Sequence, residues 1–160
     1  TIVSREGVNA VHQGRKNGFA HASTDTDAAI ADPAADTIVI TTRHDTHAHF
    51  VIKALEAGKH VFVEKPLCMD IAQWESLKTA MESHPSSQVM VGFNRRFAPH
   101  ILRMKQLLSG VQIPKSFVIT VNAGAIPANH WTQDRATGGG RIIGEACHFI
   151  DLLRDLAGHP

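Results

Sequence analysis

Lys65 stands two positions after the run His60–Val63, flanked by Glu64 and Pro66. Three other polar clusters occupy comparable places: Ser4-Arg5 after Thr1–Val3, the stretch Thr41-Thr42-Arg43-His44-Asp45-Thr46-His47 after Ile38–Ile40, and Asn94-Arg95-Arg96 after Gln88–Gly92. Ligands of open α/β sheets bind where strands end, so these four loops are expected to form one site at one edge of a single sheet. A lysine desolvated at such an edge suits general acid–base work, because burial favours its neutral form. Farther along, Glu145, His148, Asp151 and Asp155 recur at spacings of three, three and four on one helical stripe. An imidazole there can exchange a proton near neutral pH. Phe149, Ile150, Leu153 and Leu156 make the opposite, apolar stripe. That pattern alone reads the polar stripe as a solvated face, for Glu145 and Asp155 above all.

The elements that would hold these residues alternate between short β-branched runs and amphipathic stretches. Ile38–Thr42 is apolar on both faces, as inside a parallel sheet. A helix is predicted from about 45 to 57, stopped by Gly58. His60–Val63 is the next strand. A helix over 70–83 follows, capped by Asp70 with Gln73 at capping-box spacing and a stripe of Ile71, Trp74, Leu77 and Met81. Gln88–Gly92 reads as a further strand, Thr1–Ser4 as the tail of one, and 24–31 as a short helix. Downstream come a helix over 98–109, an alternating strand Ser116–Asn122 and a last helix over 142–157. The order implies right-handed βαβ units, hence an α/β fold: an incomplete Rossmann-type parallel sheet over 1–94, then over 95–160 a linker helix and the beginning of an α+β substrate and oligomerisation domain. Phe19, Phe50, Phe62 and Phe149 are expected in the core. His12, His21, His84, His100 and His159 are expected at the surface.

Composition narrows the class. The 160 residues are 43% apolar and 19% charged, the profile of a folded chain, and 16 basic against 15 acidic side chains leave a net charge of +1. A nucleic-acid or membrane-surface binder would show a basic excess gathered on one face; no run approaches the length of a membrane span. Two cysteines make no disulfide framework, so a reducing, cytoplasmic setting is expected. Among the 11 histidines, His44, His47 and His49 have spacing that could suit a metal, yet no cysteine or second carboxylate stands nearby at ligand spacing. No metal is expected. The chain begins with Thr1 on an apolar pair, which reads as an internal piece of a longer protein.

The runs KALEAGKHVFVEKPL (Lys53 to Leu67), VGFNRRFAP (Val91 to Pro99) and GGGRIIGEACHFIDLLRDLAG (Gly138 to Gly158) resemble the Gfo/Idh/MocA family of NAD(P)-dependent oxidoreductases. The likeness extends over essentially the whole chain, and the Glu-Lys-Pro tripeptide after AGKHV is its most specific part. It implies hydride transfer between NAD or NADP and a secondary alcohol of a sugar, inositol or sugar nucleotide. Lys65 would contact the substrate hydroxyl and support its proton loss, with His148 as acid–base partner. Glu64, Lys65 and Pro66 would shape the nicotinamide end. Thr41, Thr42 and His47 would form the cofactor loop, and Asn94 and Arg95 the region where domains meet. Asp151 would join Lys65 and His148 at the substrate. Trp131 either stacks on a sugar ring or packs at the surface, and Arg95-Arg96 is either a salt-bridge pair or a substrate clamp. Ser4 and Arg5 suit a 2′-phosphate, or Arg5 points into solvent.

Two departures stand out. No G-x-G-x-x-G occurs anywhere, so the strand carrying that fingerprint is expected before Thr1 and this stretch by itself is expected to be inactive. The family usually has an aspartate four residues before the histidine, where this chain has Gly144, with Glu145 one step later. The partners expected are a small sugar-like molecule and, at full length, further copies of the chain, with no nucleic acid and no membrane. An NAD-dependent glycoside hydrolase of the same fold and a non-catalytic oligomerising module are the alternatives.

Overall fold

Three parallel strands organise the computed structural model, which describes residues 1–158. They are β3 (Thr37–Ile40), β4 (His60–Val63) and β5 (Val89–Val91), in the order β3-β4-β5. The register aligns Ile40 with Val63 and Val63 with Val91, while Val39, Phe62 and Met90 form the row on the other face. Helices α3 (His47–Glu56) and α4 (Ile71–Ser83) cover the first face. Ile40, Val61 and Val63 pack there with Val51, Ala54, Leu55, Leu77 and Ala80. The other face is open: Val39 is 64% and Met90 53% exposed. Leu55 is fully buried, so Leu55→Ala is expected to destabilise the protein by about 2–5 kcal/mol through the lost burial and the cavity. A denaturant titration of the full-length protein checks this.

Local chemistry explains the boundaries. Asp70 Oδ1 accepts the Gln73 N–H at 2.8 Å, and Gln73 Oε1 accepts the Met69 N–H at 2.9 Å, closing the start of α4. Gly58, at φ +71°, ends α3; its N–H reaches the Leu55 carbonyl and the Lys59 N–H that of Ala54. The helix predicted over 45–57 begins instead with a separate 3-10 turn, His44–Thr46, and Thr41 and Thr42 lie beyond β3.

A separate parallel pair, β1 (Ile2–Val3) with β2 (Ala22–Ser23), flanks α1 (Gly7–Lys16) and precedes α2 (Thr26–Ala31). The predicted single sheet is therefore two sheets among the described residues, since no ladder joins β1 to β3. Helix α1 and strand β2 escaped the sequence reading. The helix lacks a side-chain cap, and the residues it buries, Ala10 and Gly14, are too small to mark an apolar stripe in the sequence.

Helix α5 (Pro99–Leu108) lies where periodicity placed it. The strand predicted over Ser116–Asn122 does not form; Val118 is 88% exposed and no strand among the described residues offers it a ladder. The short α6 (Arg135–Gly138) leads through a π turn, Ile142–Ala146, into α7 (Cys147–Ala157). The core expectation fails for Phe19, which is exposed, and the stripe of α4 is narrower than predicted because Ile71 and Trp74 are also exposed. His84, expected at the surface, is half-buried with Nδ1 2.9 Å from the Ala80 carbonyl. His159 lies outside the described residues.

Candidate active site

At the carboxyl edge of the three-stranded sheet, the loop after β4 presents Glu64, Lys65 and Pro66, with a cis Lys65–Pro66 peptide. The Lys65 ammonium reaches across about 80 residues of sequence to the π turn. It donates to the Gly144 carbonyl at 2.7 Å and lies 3.4 Å from Glu145 Oε2. Glu145 Oε1 in turn lies 3.7 Å from Arg95 Nη2, and the Arg95 guanidinium sits over the Phe149 ring at 4.5 Å. Glu145 is thus a shared counter-ion for two cations at the ends of β4 and β5, which corrects its reading as a solvated residue.

The wide turn is what makes these contacts available. A π turn leaves backbone carbonyls outside the regular ladder and is common at functional sites. A side chain at position 144 would bring its Cβ to 2.9 Å from the Gly138 carbonyl and 3.0 Å from His44 Cε1. Only glycine lets the segment approach so closely, which is the physical reason for the second departure in the sequence, glycine at position 144.

One turn further, His148 is 7% exposed, with its ring edge-on to Phe93 at 6.2 Å between centroids. Its Nδ1 is buried and has no hydrogen-bond partner among the described residues. Burial, then the charges of Lys65 and Arg95, lower its pKa, so the neutral imidazole is favoured. The polar stripe of α7 therefore faces inward, while Ile150 is 53% exposed. Asp151 accepts from Arg96 at both oxygens, and Asp155 pairs with Lys105 at 2.9 Å. These contacts tie α7 to α5 and to the 3-10 turn Asn94–Phe97, so Asp155 is a strut and not a solvated residue; Asp151 is engaged by Arg96.

The loop after β3 completes the edge. Thr41, Thr42 and Arg43 are exposed; the Thr46 hydroxyl donates to the Arg43 carbonyl at 2.8 Å and meets the Thr42 hydroxyl at 2.6 Å. His47 is fully buried and has both ring nitrogens against backbone carbonyls, those of Pro66 and Thr42. His44 is buried too, with Nδ1 2.8 Å from the Gly138 carbonyl and its ring edge-on to Trp131 at 4.8 Å. Arg43 lies 5.7 Å from the half-buried Trp131 ring. Asn94 is exposed at the end of β5. Ser4 and Arg5 belong to the other sheet; Ser4 Oγ accepts the Glu6 N–H and Arg5 is exposed. The sequence reading names His44 as part of its loop and takes Glu145 as solvated; the structure brings both into the contacts of the site.

The residues fit the reactive end of a nicotinamide dinucleotide: a lysine ammonium stands at the edge where such cofactors bind, and its charge acts on an imidazole whose buried nitrogen has no partner among the described residues. Exposed hydroxyl and amide groups at Thr41, Thr42 and Asn94 flank them. Among the described residues no group of three or more His, Cys, Asp or Glu could hold a metal ion, and no helix is long and apolar enough to cross a membrane.

Lowered pKa values give the site a pH signature. Burial is the main cause for both His44 and His148. Their unfolded pKa is about 6.5, so below that value the unfolded state binds more protons than the folded one. Stability then rises with pH in this window. The melting temperature of the full-length protein is expected to fall progressively as pH is lowered from 7 to 5. Replacing His148 by Gln is expected to flatten part of that slope.

Parallel strands with their site at the carboxyl edge define a Rossmann-type nucleotide-binding protein. The chain belongs to the GFO_IDH_MocA family, described as an oxidoreductase family with an NAD-binding Rossmann fold, whose model matches residues 2–93. It is 34% identical over 149 residues to the scyllo-inositol 2-dehydrogenase (NAD(+)) of Bacillus subtilis (strain 168), a match covering 90% of this chain and 42% of the relative. The inositol 2-dehydrogenase of Rhizobium meliloti (strain 1021) is 30% identical over 135 residues, 82% of this chain and 39% of that protein. Among solved structures, levoglucosan dehydrogenase in complex with NADH and levoglucosan superposes with a TM-score of 0.81 at 26% identity, covering 99% of this chain and 44% of that one. A probable dehydrogenase from Thermotoga maritima gives a TM-score of 0.85 at 25% identity, covering 99% and 47%. The chain thus spans about two fifths of the length of the curated relatives it matches.

Proposed function

We propose that the protein carrying this chain is an NAD(P)-dependent dehydrogenase that oxidises a secondary alcohol of an inositol or sugar-like polyol to the ketone. One observation carries the reading: the Lys65 ammonium, held at the carboxyl edge of β4, lies close enough for its charge to act on the buried His148 imidazole, whose Nδ1 has no partner among the described residues. The nicotinamide, when bound, supplies the hydride acceptor. Thr41, Thr42, Glu64, Pro66, Asn94 and Arg95 line the edge that would hold it. Lys65 donates a hydrogen bond to the alcohol oxygen and stabilises the negative charge that develops there as the carbonyl forms. The hydroxyl proton passes to the His148 imidazole, which burial keeps free to accept it. Glu145 and the Gly144 carbonyl hold the Lys65 ammonium in place, with one N–H left for the substrate. Trp131 offers a ring face to the substrate, and Arg96 fixes Asp151 and with it the helix that carries His148.

The names of the relatives support the substrate class, and the exposed Ser4-Arg5 loop leaves room for either NAD or NADP. The protein is proposed to act as a homo-oligomer in the cytoplasm. The test is reduction of NAD or NADP at 340 nm by the purified full-length protein with a panel of inositols, sugars and sugar nucleotides. Reduction with at least one polyol is expected. No reduction with any of them overturns the proposal, and glycoside cleavage without net cofactor consumption selects the hydrolase instead.

A further inference from the structure

His44 and His47, three positions apart on the turn after β3, take no part in the proton and hydride chemistry, yet both are buried. Each reaches a different wall of the site. His47 Nδ1 lies 2.7 Å from the Pro66 carbonyl and Nε2 3.0 Å from that of Thr42. A carbonyl oxygen only accepts, so a ring N–H of His47 donates to the carbonyl it faces. The ring ties the peptide next to Lys65 to the loop after β3. His44 Nδ1 donates to the Gly138 carbonyl at 2.8 Å, 94 positions away in sequence, while its ring packs on Trp131 and on Gly144. Gly138 ends α6, separated by three residues from the π turn that supplies the Gly144 carbonyl and Glu145 and leads into the helix of His148.

We propose that His44 and His47 are a pair of positioning residues that set the distance between the Lys65 loop and the His148 helix. His47 fixes the first wall and His44 fixes the second, from one short turn whose own geometry is locked by the Thr46 hydroxyl on the Arg43 carbonyl. The three-residue spacing serves opposite directions and no shared metal: the His47 nitrogens and His44 Nδ1 face backbone carbonyls. The proposal rests on the dehydrogenase reading for what the two walls do, and stands apart from it in how they are held.

The test compares His44→Ala, His44→Asn and His47→Ala in the full-length protein, by hydrogen exchange and by turnover. An asparagine amide can donate from close to the place of Nδ1. His44→Ala is expected to speed amide exchange over 138–146 while leaving β4 protected, and to lower kcat on the order of 100-fold, the scale of a misplaced reacting group, with the KM for the dinucleotide within about twofold. His44→Asn is expected to restore both most of the protection and most of kcat. His47→Ala is expected to speed exchange over 64–67; if it does not fold, the His44 pair decides. Unchanged exchange over 138–146 in a folded His44→Ala protein overturns the proposal, as does a loss that asparagine does not repair. Absence of turnover in the wild type would sink the dehydrogenase reading while the exchange data still decide the clasp.

Discussion

Lys65→Ala in the full-length protein is expected to lower kcat/KM for the polyol by about 10²–10⁴-fold, the range of a lost general acid–base or charge-stabilising group. Binding of the dinucleotide, measured by fluorescence titration, is expected to change little, because the side chain reaches toward the substrate and the π turn. The variant also leaves the buried Gly144 carbonyl without its donor and Glu145 with only Arg95. An orphaned buried acceptor costs about 1–3 kcal/mol, so a modest fall in melting temperature accompanies the loss. Lys65→Arg is not expected to rescue. A planar guanidinium cannot place one donor on Gly144 and another on substrate as a tetrahedral ammonium does. Turnover by the alanine variant within tenfold of wild type would remove Lys65 from the chemistry.

The second large effect is structural. A Cβ on Gly138 would sit 2.6 Å from Thr132 Cα, 2.7 Å from the Trp131 carbonyl oxygen and 2.8 Å from that of Thr132. All three are backbone atoms, so no rotamer change relieves the overlap. Gly138→Ala is expected to destabilise the protein by about 3 kcal/mol and, since its carbonyl is the His44 acceptor, to lower kcat as well. Gly110→Ala serves as the control. Nothing lies within 4 Å of its added methyl, and the change is expected to stay within about 0.5 kcal/mol. Equal urea midpoints for the two variants would refute the close approach of the two segments.

The boundaries that proved readable are those set by nearest-neighbour chemistry. His60–Val63 is a strand because a β-branched run has partners on both sides, and α4 starts at Asp70 because the side chain closes its own first turn. The strand-end rule placed Lys65, Thr42 and Arg95 at one edge. What could not be read depends on distant partners. The last helix shows a polar and an apolar stripe, and amphipathicity alone buries the apolar one. Here Arg96, Lys105, Lys65 and Arg95 supply the cations that draw the acidic stripe inward. The alternating run 116–122 has the pattern of a strand without a ladder to join. Helix α1, with two glycines and no cap, carries too little local signal to register.

The π turn at Ile142–Ala146 makes the site sensitive to the number of residues in a helix as well as to their identity. A π turn amounts to one residue inserted into a regular ladder, and each residue rotates an α-helix by about 100°. Removing any one of the five would let the segment relax into ordinary helix, swinging either Glu145 or His148 off the face that meets Lys65. Deleting Ile143 or Ala146 would therefore disrupt the site while keeping Lys65, Glu145 and His148, and an extra residue would do the same from the other direction.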